Sequence, residues 1–228
     1  MPFFYDATYI LVIIGAIISL IASLNVKGTF RRYSRFANSR GLTAEQVASM
    51  ILQSEGIYDV RIERIRGELT DHYSPGEKVL RLSNSVYGSN SVAAIGVAAH
   101  ECGHAIQHER GYFPLHLRSV SVPLANIGSR LSWPIVLLGL IFGLPGLTEV
   151  GIILFLFVVA FQLITLPVEF NASRRAMRVL SDRQILVGDE LRGSRKVLTA
   201  AALTYVAALI TAVLQLLRLL LLSGRRRD

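Results

Sequence analysis

The sequence predicts a mainly α fold: a polytopic helical membrane protein carrying a small catalytic unit that contains a short antiparallel β pair. Three observations lead there. Four stretches hold no charged residue: Ala7 to Val26, Leu131 to Thr148, Gly151 to Val168 and Val197 to Leu217. Each has about the 20 residues that cross a hydrocarbon core. Basic residues are segregated, with none before Lys27, twelve from Lys27 through Arg118 and seven from Arg174 through Lys196. Finally, His100-Glu-Cys-Gly-His104 falls in a proline-free, alanine-rich run from Ser91 to His108 that reads as a helix.

Of the 228 residues, 52% are hydrophobic and the mean hydropathy is +0.46, which favours membrane spans over buried helices that keep one polar face. The net charge of +8 would suit a nucleic-acid surface if the basic residues were clustered. Their placement follows the positive-inside pattern instead, which excludes nucleic acid as the expected partner and makes the lipid bilayer one. The expected organisation is a transmembrane helix over 7–26, a cytoplasmic-face catalytic segment over 27–118, a transmembrane hairpin over 131–168, a second cytoplasmic segment over 169–196, and a transmembrane or interfacial helix over 197–222. The first stretch reads as a span because no Lys or Arg precedes it as in a signal peptide. The last is left as either kind because a full crossing would carry Arg225, Arg226 and Arg227 outside.

Within the first polar segment, Lys27 to Arg40 is juxtamembrane and basic, suited to lipid headgroups. Thr43-Ala-Glu-Gln46 has the form of a capping box, and Leu42, Val47, Met50 and Ile51 give the following helix an apolar face ending near Gly56. Val60 to Ile65 alternates strictly and reads as a strand; Gly67 to Gly76 is a loop; Lys78 to Ser83 is a second strand, taken to pair antiparallel with the first. Ser91 can cap the helix that follows. Cys102 is the sole cysteine, so no internal disulfide forms, and it reads as a packing residue of the active-site helix.

Two histidines four apart on a helix project about 40° from each other, so both imidazoles can reach one metal ion with the intervening glutamate beside it. This is the zincin arrangement. His100 and His104 are the expected zinc ligands, and Glu101 is placed to take a proton from water acidified by the metal. A catalytic zinc needs a third protein ligand. Gln107 and Arg110 stand where a metzincin would have Gly and His, so that class is excluded. His108 and Glu109 lie further along the same helix. Glu169, in Pro167-Val-Glu-Phe-Asn-Ala-Ser173 at the end of the third stretch, is a candidate ligand or an ordinary interfacial glutamate. Asp71 and His72 are the alternative source.

Four segments together resemble one family: Leu69-Thr-Asp-His-Tyr-Ser-Pro-Gly, Leu80-Arg-Leu-Ser-Asn-Ser-Val-Tyr87, Ser91 through Gln107, and Pro167 through Ser173. They look like the YugP-like neutral zinc metallopeptidases of bacterial membranes, over most of residues 1–215. More distantly the chain is similar to the HtpX and CAAX-prenyl protease group, whose second motif is Glu-x-x-Ala-Asp. The resemblance implies that His100, His104 and Glu169 bind Zn²⁺ and that Glu101 is the catalytic acid/base. Ser173 replaces the Asp that supports a ligand histidine in the distant group, so orientation of that histidine is weaker or comes from elsewhere, with Asp71 a candidate.

The resulting expectation is a gluzincin-like zinc metalloendopeptidase of the bacterial cell membrane, multi-pass, acting on a peptide or membrane-protein substrate at the cytoplasmic face. The strand Lys78 to Ser83 is expected to receive the substrate by strand addition, with His72, Tyr87 or His108 available as oxyanion donor. The competing reading is a non-proteolytic zinc-binding membrane scaffold or assembly protein. Glu101 argues against it, because a structural site needs no base. From the charge pattern, a tag near Gly67 should report the cytoplasm and a tag at the N-terminus the outside; a protease-protected N-terminus in intact cells would contradict this.

Overall fold

A computed structural model describes residues 7–224; Arg225, Arg226 and Arg227 lie outside them. The elements in chain order are α1 (Tyr9–Tyr33), α2 (Ala44–Ser54), β1 (Arg61–Ile65), β2 (His72–Ser74), β3 (Val79–Ser83), α3 (Val92–Glu109), α4 (Phe113–Phe142), α5 (Pro145–Asp182) and α6 (Gly188–Gly224). The protein is a mainly α, polytopic membrane protein with a small sheet. Among the described residues α1, α4, α5 and α6 are each long and apolar enough to cross a bilayer. Their lipid-type surface is plain on α1, where Ile10, Ile13, Ile17, Leu20, Ile21 and Leu24 are all exposed.

The chain divides into two compact units. Among the described residues, one comprises 7–23, 116–167 and 203–224, and is built from parts of the four long helices. Its core is Val136, Leu140, Ile152, Phe155, Val159, Ala212 and Leu219. Inside it, α4 ends where Gly143 takes φ +65° and Leu144 N–H donates to the Gly139 carbonyl at 2.9 Å; Pro145 then opens α5. The sequence separates the two stretches at Glu149, but the turn comes earlier. A left-handed glycine followed by a proline at the first helical position is a stronger break than one charge, so Glu149 sits within α5.

The other unit, residues 24–115 and 168–202, holds the sheet and α3. The Gln46 side chain accepts from the Thr43 N–H at 3.0 Å to start α2, which buries Ala44, Val47, Ala48, Ile51 and Leu52. Ser91 caps α3 by accepting from the Ala94 N–H at 3.2 Å. Helix α3 is buried on nearly every side, which its small residues permit. A Cβ built on Gly103 would lie 2.5 Å from the Ala172 carbonyl oxygen of α5, and one on Gly96 would lie 2.5 Å from Ser194 Oγ of α6. At its end, Gly111 takes φ +59° and Tyr112 N–H donates to the Gln107 carbonyl at 2.9 Å, stopping the helix just past His108.

The sheet corrects the expected pairing. Its order is β1-β3-β2, and β1 runs parallel to β3 in the register Arg61↔Val79 through Ile65↔Ser83. The antiparallel partner of β3 is β2, in the register His72↔Arg81 through Ser74↔Val79. The cause lies in the connection from Arg66 to Lys78, long enough to contain a strand of its own. That strand folds back through the Ser74-Pro-Gly76 turn to take one edge of β3, which leaves β1 the other edge in parallel. Strand β3, paired on both sides, buries Val79, Leu80, Leu82 and Ser83.

Gly103→Ala should lower stability by about 2 kcal/mol, because the added methyl meets backbone rather than a movable side chain. A thermal melt of the full chain in detergent should read this as a fall of about 4–8 °C.

Candidate metal centre

The spacing of His100 and His104 on α3 brings their rings to a centroid separation of 4.8 Å, edge to face at 85°. Helix α5 lies against α3 where Gly103 lets its backbone approach, and Glu169 stands one turn before the contact residue Ala172. Its side chain is 2% exposed. Glu169 Oε2 is 3.1 Å from His100 Nε2 and 3.6 Å from His104 Nε2. One ligand atom from each of the three residues lies within 4.8 Å of the others, and this is the only such group of three found among the described residues.

Each imidazole is held from behind. His104 Nδ1 is 3.0 Å from Gln107 Oε1, and Gln107 Nε2 donates to the Val168 carbonyl at 2.8 Å and to Asn171 Oδ1 at 3.0 Å. Because the amide nitrogen is engaged by carbonyl acceptors, Gln107 offers His104 an acceptor, so Nδ1 carries the proton and Nε2 turns its lone pair to the cluster. His100 Nδ1 is 3.1 Å from Ser173 Oγ. Burial pushes the His104 imidazole toward its neutral form, but the Glu169 carboxylate and the nearby Glu101 charge outweigh it and hold its pKa up. Two imidazoles turned toward one buried carboxylate form a donor set that favours positive charge between them.

Glu101, also buried, is not one of the three clustered donors; its Oε2 accepts from the Tyr73 N–H of β2 at 3.0 Å. The Tyr73 hydroxyl and His108 Nδ1 are 2.9 Å apart, and burial lifts the phenol pKa to about 12. Tyr73 therefore ties β2 to α3 at two positions, one being the carboxylate between the two histidines.

Residues 8–224 match the family described as "Putative neutral zinc metallopeptidase". The chain belongs to this family. It is also 45% identical over 211 residues, 92% of this chain and 94% of the relative, to the "Putative membrane protease YugP" of Bacillus subtilis (strain 168). No solved structure matches. Zinc is the metal of the family, and the donor set fits it. Ligands held tetrahedrally at 2.0–2.2 Å stand roughly 3.3–3.6 Å apart; the two carboxylate–imidazole separations of 3.1 and 3.6 Å lie near this range, and all three ligand atoms lie within 4.8 Å of one another. Two nitrogens and one carboxylate oxygen also suit Zn²⁺ and leave a fourth position for water.

The alternatives considered from sequence fall elsewhere. Asp71 accepts from the Ser83 N–H at 2.7 Å and the Ser83 hydroxyl at 2.9 Å, fastening the end of β3; burial pushes its carboxyl up while those bonds work against the rise. No hydrogen bond joins it to either clustered histidine; the His100 ring is instead met by Ser173, four residues after Glu169 and so on the same helical face, at the position where the distant group has Asp. His72 is exposed, with Nδ1 3.0 Å from the Thr70 carbonyl, and Tyr87 packs against the core. His108 is engaged by Tyr73, and neither it nor Glu109 joins the cluster. Strand addition at Lys78 to Ser83 is overturned, because β1 and β2 occupy both edges of β3. Gln107 and the Tyr73 amide are the partners of the clustered side chains that sequence reasoning missed, although Gln107 at three residues beyond His104 carries a helical-spacing signal; Ser173, read there as a weakened support, is the group that meets His100.

Gln107→Ala frees the His104 ring and removes two further bonds, so metal affinity should fall about 10- to 100-fold while the remaining donors stay. Competition against a zinc chelator measures this, and an unchanged affinity would show that the ring needs no such support.

Proposed function

We propose that this protein is a membrane-embedded zinc-dependent endopeptidase whose active site opens on the cytoplasmic face. In this reading residues 27–118 form a zincin-like catalytic segment, 169–196 supply the third ligand, and the spans are 7–26, the hairpin 131–168 and a transmembrane or interfacial helix over 197–222. The observation that carries it is the convergence of His100, His104 and Glu169 beside Glu101, a carboxylate held apart from the donor set. A structural site has no use for that fourth group.

His100, His104 and Glu169 would hold the ion. Bound Zn²⁺ supplies Lewis acidity, lowering the pKa of water and polarising the scissile carbonyl. Glu101 takes the proton of the attacking water and passes it to the leaving amine. The Tyr73 N–H fixes one carboxylate oxygen, which leaves the other to face the reacting water and restricts the rotation of the base. Ser173 and Gln107 keep the two imidazoles aimed.

Glu101→Gln should keep bound zinc and lose peptidase activity by about 10²- to 10⁴-fold, because it deletes a base and no ligand. Glu169→Ala should lose metal and activity together, and Glu109→Ala neither. Metal content and cleavage rate on the same preparations separate these outcomes. Full activity in Glu101→Gln removes it from the mechanism; tightly bound zinc with an unchanged rate in Glu169→Ala refutes the third ligand.

A further inference from the structure

In the unit built from the long helices, Arg218 of α6 is 8% exposed in an otherwise apolar run, Leu216 to Leu222. Its guanidinium carbon lies 5.3 Å from the centroid of the Tyr9 ring of α1 and 5.3 Å from that of the Trp133 ring of α4. Its Nε is buried without a hydrogen-bond partner, and among the described residues no carboxylate pairs with it. An arginine between spans is costly to keep charged, and such residues ordinarily pair or mark a ligand. The two rings answer the charge through its faces. They cannot accept the N–H groups, which point outward in the guanidinium plane.

We propose that Arg218, framed by Tyr9 and Trp133, is a binding site for the phosphodiester of a membrane phospholipid headgroup. The planar fork of N–H donors matches two phosphate oxygens side by side, a geometry a lysine does not reproduce. Depth favours a lipid over a soluble anion. Tyr9 opens α1, the level at which aromatic side chains meet headgroups, and the Arg218 guanidinium lies against its ring. The surroundings point the same way. Tyr9 is 43% exposed, and Ile10, Leu217, Leu220 and Leu221 are exposed and wholly apolar, a surface for acyl chains and not for water. A phosphate that reaches this arginine arrives most favourably attached to hydrocarbon.

Trp133 is the only tryptophan in the chain, so its emission reports on this site alone. The full chain, delipidated in a non-ionic detergent, is titrated separately with phosphatidylglycerol, with diacylglycerol bearing the same acyl chains, and with inorganic phosphate. Phosphatidylglycerol should give a saturable change in Trp133 emission at least tenfold tighter than diacylglycerol, and inorganic phosphate should give none at millimolar concentration. Arg218→Met should weaken the phosphatidylglycerol titration tenfold or more, with Arg218→Lys intermediate. Equal titrations by the phospholipid and diacylglycerol in the unmodified protein would overturn the proposal without recourse to any variant. So would unchanged titrations in both Arg218 variants, and a saturable response to inorganic phosphate would assign the site to a free anion instead of a lipid.

Discussion

The approach of α5 to α3 is the constraint from which the arrangement of the candidate site follows. Gly103 has no side chain because the Ala172 carbonyl occupies the space a Cβ would need. That closeness lets a carboxylate rooted in one helix stand within 3.1 and 3.6 Å of two imidazoles rooted in the other. Glu169 is thereby withdrawn from solvent, and a carboxylate so buried is tolerable only with positive or strongly donating neighbours. The small-residue surface of α3, the caps at both its ends and the core around it all serve to keep two helix backbones at that separation.

Orientation is distributed rather than local. Gln107 connects the ring of His104 to the backbone of Val168 and to Asn171, and Asn171 in turn accepts from Arg175 Nε at 2.8 Å. The face of α5 that presents Glu169 therefore also supplies, through Ser173 and Asn171, the groups that aim the histidines of α3. Rotation of α5 about its axis would disturb the third donor and both supports together. Strand β2 adds a third direction of restraint by engaging Glu101 through the Tyr73 amide.

Local sequence made α3 legible: its cap, its alanines and the four-residue histidine spacing are all read within one segment. The apolar stretches were equally direct, since hydrocarbon thickness imposes their length. Glu169 could be shortlisted from its position but was tied to the histidines only by resemblance, because nothing in spacing tells how two segments separated by about 65 residues will meet. The sheet was misread for a related reason. Alternation identifies β1 and β3, but parallel or antiparallel pairing depends on what the connection does, and the three-residue β2 is too short to carry a period. Asp71 and Ser173 show the same boundary: sequence offered Asp71 as the support and read Ser173 as its loss, whereas the packing assigns Asp71 to β3 and Ser173 to His100.

The interior position of Cys102 has a practical consequence. Its sulfur faces the Ala48 carbonyl at 3.6 Å, fully buried, and desolvation holds the thiol well above its ordinary pKa, so the nucleophilic thiolate is scarce in the folded protein. With no other cysteine in the chain, the native molecule is in effect silent toward alkylating reagents. A cysteine introduced at any exposed position would be the sole reactive thiol, which makes the unaltered sequence a ready background for single-site spin or fluorophore attachment.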